Sequence, residues 1–151
     1  MSFPTAPQAM TADWIADKLG QPKGALKGFS AAAIGTGQMC DSFRLTLDWA
    51  DGTGLPPTIV AKCPSHDEAS RNIAALTATY VKEVSWYREL AAGSGVAAPH
   101  CYHADIADND VDFILLLSDL APARQGDQLA GLGLAGLAPC IDAAAGTRCH
   151  G

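Results

Sequence analysis

Charged residues and long apolar runs are both scarce in this chain of 151 residues. Only 17% of the residues are charged and the net charge is −6, which disfavours nonspecific binding to nucleic acid or to an anionic membrane. The longest apolar region, residues 129–145, is interrupted by glycine, proline and Asp142. It falls short of the roughly 20 apolar residues that a membrane span needs. We therefore expect neither nucleic acid nor a membrane as a partner.

The sequence also lacks the paired cysteines of a disulfide framework or a zinc knuckle. Its five cysteines are odd in number and form no Cys-x-x-Cys motif, so reduced thiols are the default expectation. Residues 1–10 contain no basic stretch followed by an apolar one, so they do not resemble a signal peptide. These features predict a cytoplasmic protein.

One close group of candidate metal ligands is present, at His100, Cys101 and His103. Alternation along a strand would place His100 and Cys101 on opposite faces, so that only Cys101 and His103 could converge. Two ligands do not make a zinc site. We therefore expect no bound metal here.

What the chain does contain is enough apolar material for one packed domain, since 48% of its residues are hydrophobic. Hydrophobic periodicity predicts strands at 29–35, 42–49, 58–63, 100–106 and 111–117, and helices at 11–19, 66–78 and 80–92. The expected fold is α+β, with a five-stranded, mostly antiparallel sheet and the 80–92 helix packed across it. Its predicted core comprises Phe43, Leu45, Ile59, Val60, Trp86, Tyr87, Leu90, Phe113, Leu115 and Leu117.

Composition divides the chain into three parts. Residues 1–10 are expected to be a flexible tail, and residues 11–128 the folded lobe. Residues 129–151 are mostly alanine, glycine and leucine with no clear period, and each glycine would cost a helix roughly 1 kcal/mol relative to alanine. We hypothesise a frameshift or an early stop near residue 130, because the composition changes abruptly there.

A glycine turn stands between the first two predicted strands, at Gly35-Thr36-Gly37-Gln38. Glycines let a backbone turn tightly and approach a phosphate, to which its N–H groups can then donate. Alone this signal is weak, because two glycines between strands are most often structural. The stricter Gly-x-Gly-x-x-Gly pattern also fails, since Cys40 occupies its third position.

Lys62 and Glu83 form the second candidate constellation. Lys62 ends the apolar run that begins at Ile59, and Glu83 follows 21 residues later in the predicted 80–92 helix. A lysine drawn toward a sheet face needs a partner or a phosphate, and a glutamate on the inner face of the helix would supply that partner. Taken singly, Lys62 could extend into solvent, and Glu83 could be an exposed carboxylate in the first turn of the helix, where its charge interacts favourably with the helix dipole. The combination of Lys62, Glu83 and the glycine turn is a far more specific signal than any one of them alone.

Together these residues resemble the aminoglycoside phosphotransferase-like kinases, a group that includes choline- and ecdysteroid-kinase-like enzymes. The resemblance covers roughly residues 13–130. It rests on the segments Ile34-Gly35-Thr36-Gly37-Gln38-Met39, Phe43-Arg44-Leu45, Ile59-Val60-Ala61-Lys62, Glu83-Val84-Ser85-Trp86-Tyr87-Arg88-Glu89-Leu90, Leu115-Leu116-Leu117-Ser118-Asp119-Leu120 and Gly126-Asp127-Gln128.

The resemblance implies an ATP-dependent phosphotransferase that acts on a small-molecule hydroxyl. The glycine turn would cover the phosphates of ATP, Lys62 would contact the α- and β-phosphates, and Glu83 would orient Lys62. The hinge beside adenine would include Ser118 and Leu120. Ser118 stands where the family often has an acidic residue. The change is expected to be tolerated, because adenine contacts there come mainly from the backbone.

The same resemblance exposes a departure from the family. Its catalytic half carries a His-Gly-Asp loop with a downstream Asn, followed by an Asp that holds Mg²⁺, and this sequence contains neither. The dipeptide His150-Gly151 has no Asp after it. The expectation is a protein-kinase-like N-terminal lobe without the C-terminal catalytic lobe. It would have no catalytic residues or Mg²⁺ ligands and would be inactive alone, with an acceptor substrate that the sequence does not name.

Two alternatives remain open from the sequence. The chain could be a noncatalytic nucleotide-binding module. It could instead be a partner-binding lobe whose apolar underside near residues 111–122 favours self-association, because exposed apolar patches favour contact between molecules.

Overall fold

The computed structural model describes residues 3–35, 39–51, 54–123, 131 and 133–145. Its strands are β1 (Leu26–Ala33), β2 (Cys40–Trp49), β3 (Thr58–Pro64), β4 (Cys101–Ile106) and β5 (Phe113–Ser118). Its α-helices are α1 (Ala12–Lys18), α2 (Glu68–Leu76), α3 (Thr79–Ser85) and α4 (Leu134–Ala145). A π-helical turn (Trp86–Leu90) and a 3-10 turn (Ala91–Gly93) continue α3, and another 3-10 turn (Pro7–Ala9) precedes α1.

The five strands form one sheet in the order β1-β2-β3-β5-β4, and each described pairing is antiparallel. The predicted α+β class with a five-stranded antiparallel sheet is thereby confirmed. Strand β1 begins three residues before the predicted position, because Leu26 pairs with Trp49 at the far end of β2.

The sheet buries apolar side chains on both faces. One face, covered by α1 and the segment before it, holds Leu45, Ile59, Ala61, Ile114 and Leu116. The other face lies under α2 and α3, which contribute Ala74, Tyr80 and Val84 to a cluster with Phe113, Leu115 and Leu117. Because β5 is buried on both faces, nearly all of its residues are apolar, as is typical of an interior strand.

Residues 7–10 differ from the expected flexible tail. Pro7 is buried within its 3-10 turn, and Met10 is only 7% exposed in the core cluster on the α1 face. Helix α1 begins as predicted, because the Thr11 hydroxyl accepts a hydrogen bond from the Trp14 N–H at 3.1 Å. Ile15, one residue later, is completely buried. The apolar contacts of this segment therefore hold it against the sheet.

The predicted 80–92 helix is interrupted, and this changes its inner face. After α3 the chain adopts a π-helical turn, whose extra residue rotates the next side chains by about 100° around the helix axis. Leu90, predicted to lie in the core, is consequently 58% exposed. Of the other predicted core residues, Leu45, Ile59, Phe113, Leu115 and Leu117 are buried, and Phe43, Val60, Trp86 and Tyr87 are partly buried.

Part of the predicted tail 129–151 is helical. Helix α4 has no buried residue and carries Pro139 in its interior, where proline removes one backbone hydrogen bond. Its leucines and isoleucine are among the most exposed apolar side chains described, with Leu134 at 86%. Among the residues the structure describes, no helix is long and apolar enough to cross a membrane.

Candidate functional site

A cavity of about 600 Å³ opens on the sheet face that carries α3. Strands β2 and β3 form one wall, and the segment after β5 forms the end. Sites for small molecules typically occupy about 300–1,000 Å³. We call this cavity the cleft, and the residues that matter for its chemistry are Gly35, Cys40, Arg44, Val60, Lys62, Leu117, Ser118, Asp119 and Leu120.

Lys62 enters the cleft because of the strand register. It pairs with Ser42 on β2 and with Leu115 on β5, and paired residues of antiparallel strands point to the same face. The Lys62 ammonium donates a hydrogen bond to the Glu83 carboxylate on α3. The two side chains are 23% and 27% exposed, so the ion pair is neither free in solvent nor sealed in the core.

Two opposing effects act on the pKa of Lys62. Burial lowers the pKa, but the hydrogen bond and negative charge of Glu83 outweigh burial, and Cys40 and Tyr87 add smaller contributions in the same direction. The pKa therefore lies above its ordinary value, and Lys62 is a permanent cation at neutral pH. Because a lysine ammonium has three N–H donors and Glu83 takes one, the others can serve an anion in the cleft.

Tyr80 connects α3 to the end of the glycine turn. Its hydroxyl donates to the Met39 carbonyl and accepts a hydrogen bond from the Ser65 N–H at 3.3 Å. Its ring stacks at a tilt on Phe113, with 4.4 Å between the ring centroids. Tyr80, which lies one turn before Glu83 on α3, thus holds the start of β2 in place just after the glycine turn.

Replacement of Tyr80 by phenylalanine is expected to lower the free energy of unfolding by about 1–3 kcal/mol, because the Met39 carbonyl and the buried Ser65 amide both lose a partner. Urea denaturation measures this difference. Tyr102→Phe, which removes a tyrosine hydroxyl from the partly buried edge strand β4, is the matched control. Equal stability of Tyr80→Phe and wild type would show that the hydroxyl does not anchor the turn.

Ser118 ends β5 and fixes the far end of the cleft. Its N–H donates to the His100 carbonyl at 2.8 Å, and its hydroxyl accepts from the His100 N–H at 2.9 Å. Leu120 lines the cleft two residues later and is 57% exposed. This end therefore combines a backbone segment held in place with an apolar side chain that a ligand could cover.

An ion pair between Arg44 and Asp119 closes the same end of the cleft. The Arg44 Nε and Nη2 donate to the two oxygens of Asp119 at 2.6 and 3.2 Å, and the Asp119 carboxylate is only 6% exposed. The Ala121 N–H also donates to this carboxylate, at 3.0 Å. The pair joins β2 to the segment after β5 and so sets the width of the opening.

Replacement of Asp119 by asparagine is expected to destabilise the protein in a pH-dependent way. The Arg44 guanidinium holds the pKa of Asp119 below its ordinary value of 3.8, so the contribution is present above that pH and is lost as the pH falls through the lowered pKa. The stability difference from wild type, measured by urea unfolding, should be constant from about pH 8 to about pH 5 and shrink below about pH 4.

The control for this experiment is Asp48→Asn, which removes an exposed carboxylate from the same strand as Arg44. A difference for Asp119→Asn that persisted undiminished at about pH 2 would contradict the assigned ion pair, since the carboxylate of the unfolded chain is protonated there and the contribution of the pair must have fallen.

Most of the predicted cofactor-binding residues that the structure describes lie together. Gly35 lines one end of the cleft with a φ of 73°, in the left-handed region that glycine favours, and Lys62, Ser118 and Leu120 line the cleft further along. Glu83 joins them through Lys62. Three predicted residues lie outside the described part of the chain: Thr36, Gly37 and Gln38.

Sequence reasoning missed the Arg44–Asp119 pair. The partners are 75 residues apart, and no local pattern couples an arginine on a half-buried strand to an aspartate in a connector. Cys40 was also missed as a cleft residue, although it lies just after the glycine turn. Burial raises the pKa of its thiol, so the thiol is neutral beside Lys62.

The side chains of Cys101 and His103, which regular strand alternation would have allowed to converge, lie on opposite faces of the sheet. A bulge between these residues shifts the register of β4 against β5, and such an extra residue reverses the faces of the residues after it. Cys101 packs in the α3 cluster, whereas the His103 ring contacts Trp14 near α1, with 5.7 Å between ring centroids. Within the described ranges, no group of three or more potential ligands could hold a metal.

Cys63 is the neighbour of Lys62 in β3 but points to the other face. It is 1% exposed in the α1-side cluster, and burial, with a smaller effect of the Asp41 charge, raises the pKa of its thiol to about 12. The thiol is therefore a packing group.

Comparison of the chain with protein-family models, with curated proteins and with solved structures found no match.

Proposed function

We propose that this chain binds ATP in the cleft and forms the ATP-binding lobe of an aminoglycoside phosphotransferase-like kinase. The observation that carries the proposal is the ion pair of Lys62 with Glu83 on the cleft wall, between the glycine turn and the segment after β5. A strand lysine held by a helix glutamate is the arrangement with which kinases hold the phosphates of ATP.

The phosphate end is the region around Lys62 and Gly35. Lys62 supplies a fixed positive charge with free N–H donors, and a cation that is only partly exposed attracts a phosphate more strongly than one in open water. Gly35 brings the backbone close without a side chain in the way. This end therefore suits the α- and β-phosphates.

The base end is the apolar strip that Val60 and Leu117 form on paired positions of β3 and β5. A flat base can pack against such side chains, and the segment from Ser118 to Leu120 lines the cleft beside this strip. Arg44 and Asp119 bound the opening there. The cleft thus offers an apolar surface at one end and a cation at the other, as a nucleotide requires.

Phosphoryl transfer to a small-molecule hydroxyl is the reaction that we propose the lobe serves. In that reaction the bond from the γ-phosphorus to the bridging oxygen breaks and ADP leaves, while the hydroxyl oxygen bonds to phosphorus and loses its proton to water. Bound Mg²⁺ would supply positive charge that offsets the developing negative charge. The described residues hold ATP through Lys62 and the apolar strip, and they contain no ligand set for Mg²⁺. No metal-dependent step is therefore assigned to them.

Isothermal titration calorimetry of the full chain with ATP tests the proposal. The expected result is saturable one-site binding by ATP, with adenosine and tripolyphosphate each binding more weakly, since each fills only one end of the cleft. Absence of saturable heat with ATP, with and without Mg²⁺, would overturn it. Equal affinity for ATP and tripolyphosphate would show that the base end is not used.

A further inference from the structure

A second cavity adjoins the cleft, between the π-helical and 3-10 turns that follow α3 and the start of β4. Its volume is about 330 Å³, near the lower end of the range for small-molecule sites. Pro99 lines both cavities, so they lie on two sides of one residue. We call this second cavity the side pocket, and its defining residues are Tyr87, Ala91, Ala98, Pro99, His100 and Cys101.

The lining of the side pocket selects a neutral ligand. No acidic residue, lysine or arginine lines it, and alanine, valine and proline provide its apolar walls. Burial raises the pKa of the Tyr87 hydroxyl and of the Cys101 thiol, so both are uncharged at neutral pH. Together with His100, these groups offer a few hydrogen bonds in an otherwise apolar space, which is the usual composition of a ligand pocket.

Tyr87 connects the side pocket with the ATP-binding residues. It lies four residues after Glu83, in the π-helical turn Trp86–Leu90, and such turns often occur at functional sites. The side chain that forms one wall of the side pocket therefore lies about one helical turn after Glu83.

We propose that the side pocket binds a small neutral molecule of one or two rings with one hydrogen-bonding group, and that this binding strengthens the binding of ATP in the cleft. The predicted effect on ATP binding rests on the proposed function, whereas binding in the side pocket does not.

The coupling arises from the elements that an occupant would join. Around the pocket, the polar link from the π-helical turn to β4 is Arg88, whose guanidinium bonds the Ala104 carbonyl at 3.0 Å and the Asp105 carboxylate. An occupant packed between Tyr87 and the start of β4 would fix the turn after Glu83. ATP would then bind a helix that is already ordered and would lose less conformational entropy.

The first experiment detects the site with phenol and indole as probes. Amide chemical shifts of the isotopically labelled full chain, followed during titration, should change in residues 87–101 and saturate. Ala91→Leu and Ala98→Leu fill the pocket and should each abolish the change, whereas Ala69→Leu, an exposed alanine of α2, should not. Shift changes elsewhere or none in wild type would overturn the site, as would unchanged binding to either filled variant that circular dichroism shows to be folded.

The second experiment measures coupling. The Kd of ATP, from calorimetry, should fall about fivefold when the probe saturates the side pocket, and the Kd of the probe should fall by the same factor at saturating ATP. If saturation of the side pocket with the probe left the Kd of ATP unchanged, the proposed coupling between the side pocket and the cleft would be overturned. If ATP fails to bind wild type at all, the proposed function fails, while the shift titration still decides separately whether the side pocket binds its probe.

Discussion

Replacement of Lys62 by methionine is expected to weaken ATP binding by roughly 10- to 100-fold. A hydrogen bond to a charged group contributes about 1.5–3 kcal/mol, and each 1.4 kcal/mol corresponds to about tenfold in affinity. Methionine keeps much of the length of the lysine stem but carries no charge, so the apolar packing of β3 is retained. Calorimetric titration of both proteins with ATP measures the ratio of the two Kd values.

Lys27→Met is the matched control for this loss, because Lys27 is an exposed lysine on a strand of the same sheet, outside the cleft. It should leave the Kd of ATP unchanged. Equal affinities of wild type and Lys62→Met would contradict the assignment of Lys62 to the phosphates. A parallel loss in the Lys27 variant would show that the effect is only one of net charge.

The role of Glu83 can be separated from that of Lys62 by a double-mutant cycle. If Glu83 acts on ATP only by positioning Lys62, then Glu83→Gln should change the Kd of ATP in wild type and have no further effect in the Lys62→Met background. Additive effects would instead indicate that Glu83 influences the nucleotide independently.

Replacement of Phe113 by alanine is expected to lower the free energy of unfolding by about 3–5 kcal/mol. Phe113 is fully buried at the start of β5, where its ring packs on Tyr80 beneath α3. Truncation loses the transfer free energy of the ring and leaves a cavity that its neighbours fill only in part. Because domains are stable by only about 5–15 kcal/mol, this change removes a large share of the total.

Urea denaturation measures the Phe113 effect, and Leu76→Ala provides the control. Leu76 is 88% exposed at the end of α2, and a truncation there should alter stability by no more than about 0.5 kcal/mol. Similar small effects in both variants would contradict the placement of β5 inside the sheet, between β3 and β4.

The sheet could be predicted from the sequence because strand alternation reports burial directly. Phe43, Leu45 and Leu47 alternate with polar residues along β2, and the apolar run of β5 marks a strand covered on both faces. The same logic placed Lys62 at the end of a buried run and Glu83 on the inner side of a helix. The structure brings those two residues into contact.

The features that escaped prediction depend on contacts that no local pattern records. The π-helical turn exposes Leu90 by one extra residue, and the bulge in β4 turns His103 away from Cys101. Each inserts a single residue into an otherwise regular period. The Arg44–Asp119 pair joins distant positions, so only the folded sheet reveals it.

An amide chemical-shift titration of the labelled full chain with ATP shows whether the cleft binds ATP. We expect saturable changes that concentrate at Gly35, at Lys62 and in the segment from Ser118 to Leu120, which together line the cleft. Changes confined to the opposite face of the sheet, around Trp14 and His103, would contradict it. The absence of any saturable change would do the same.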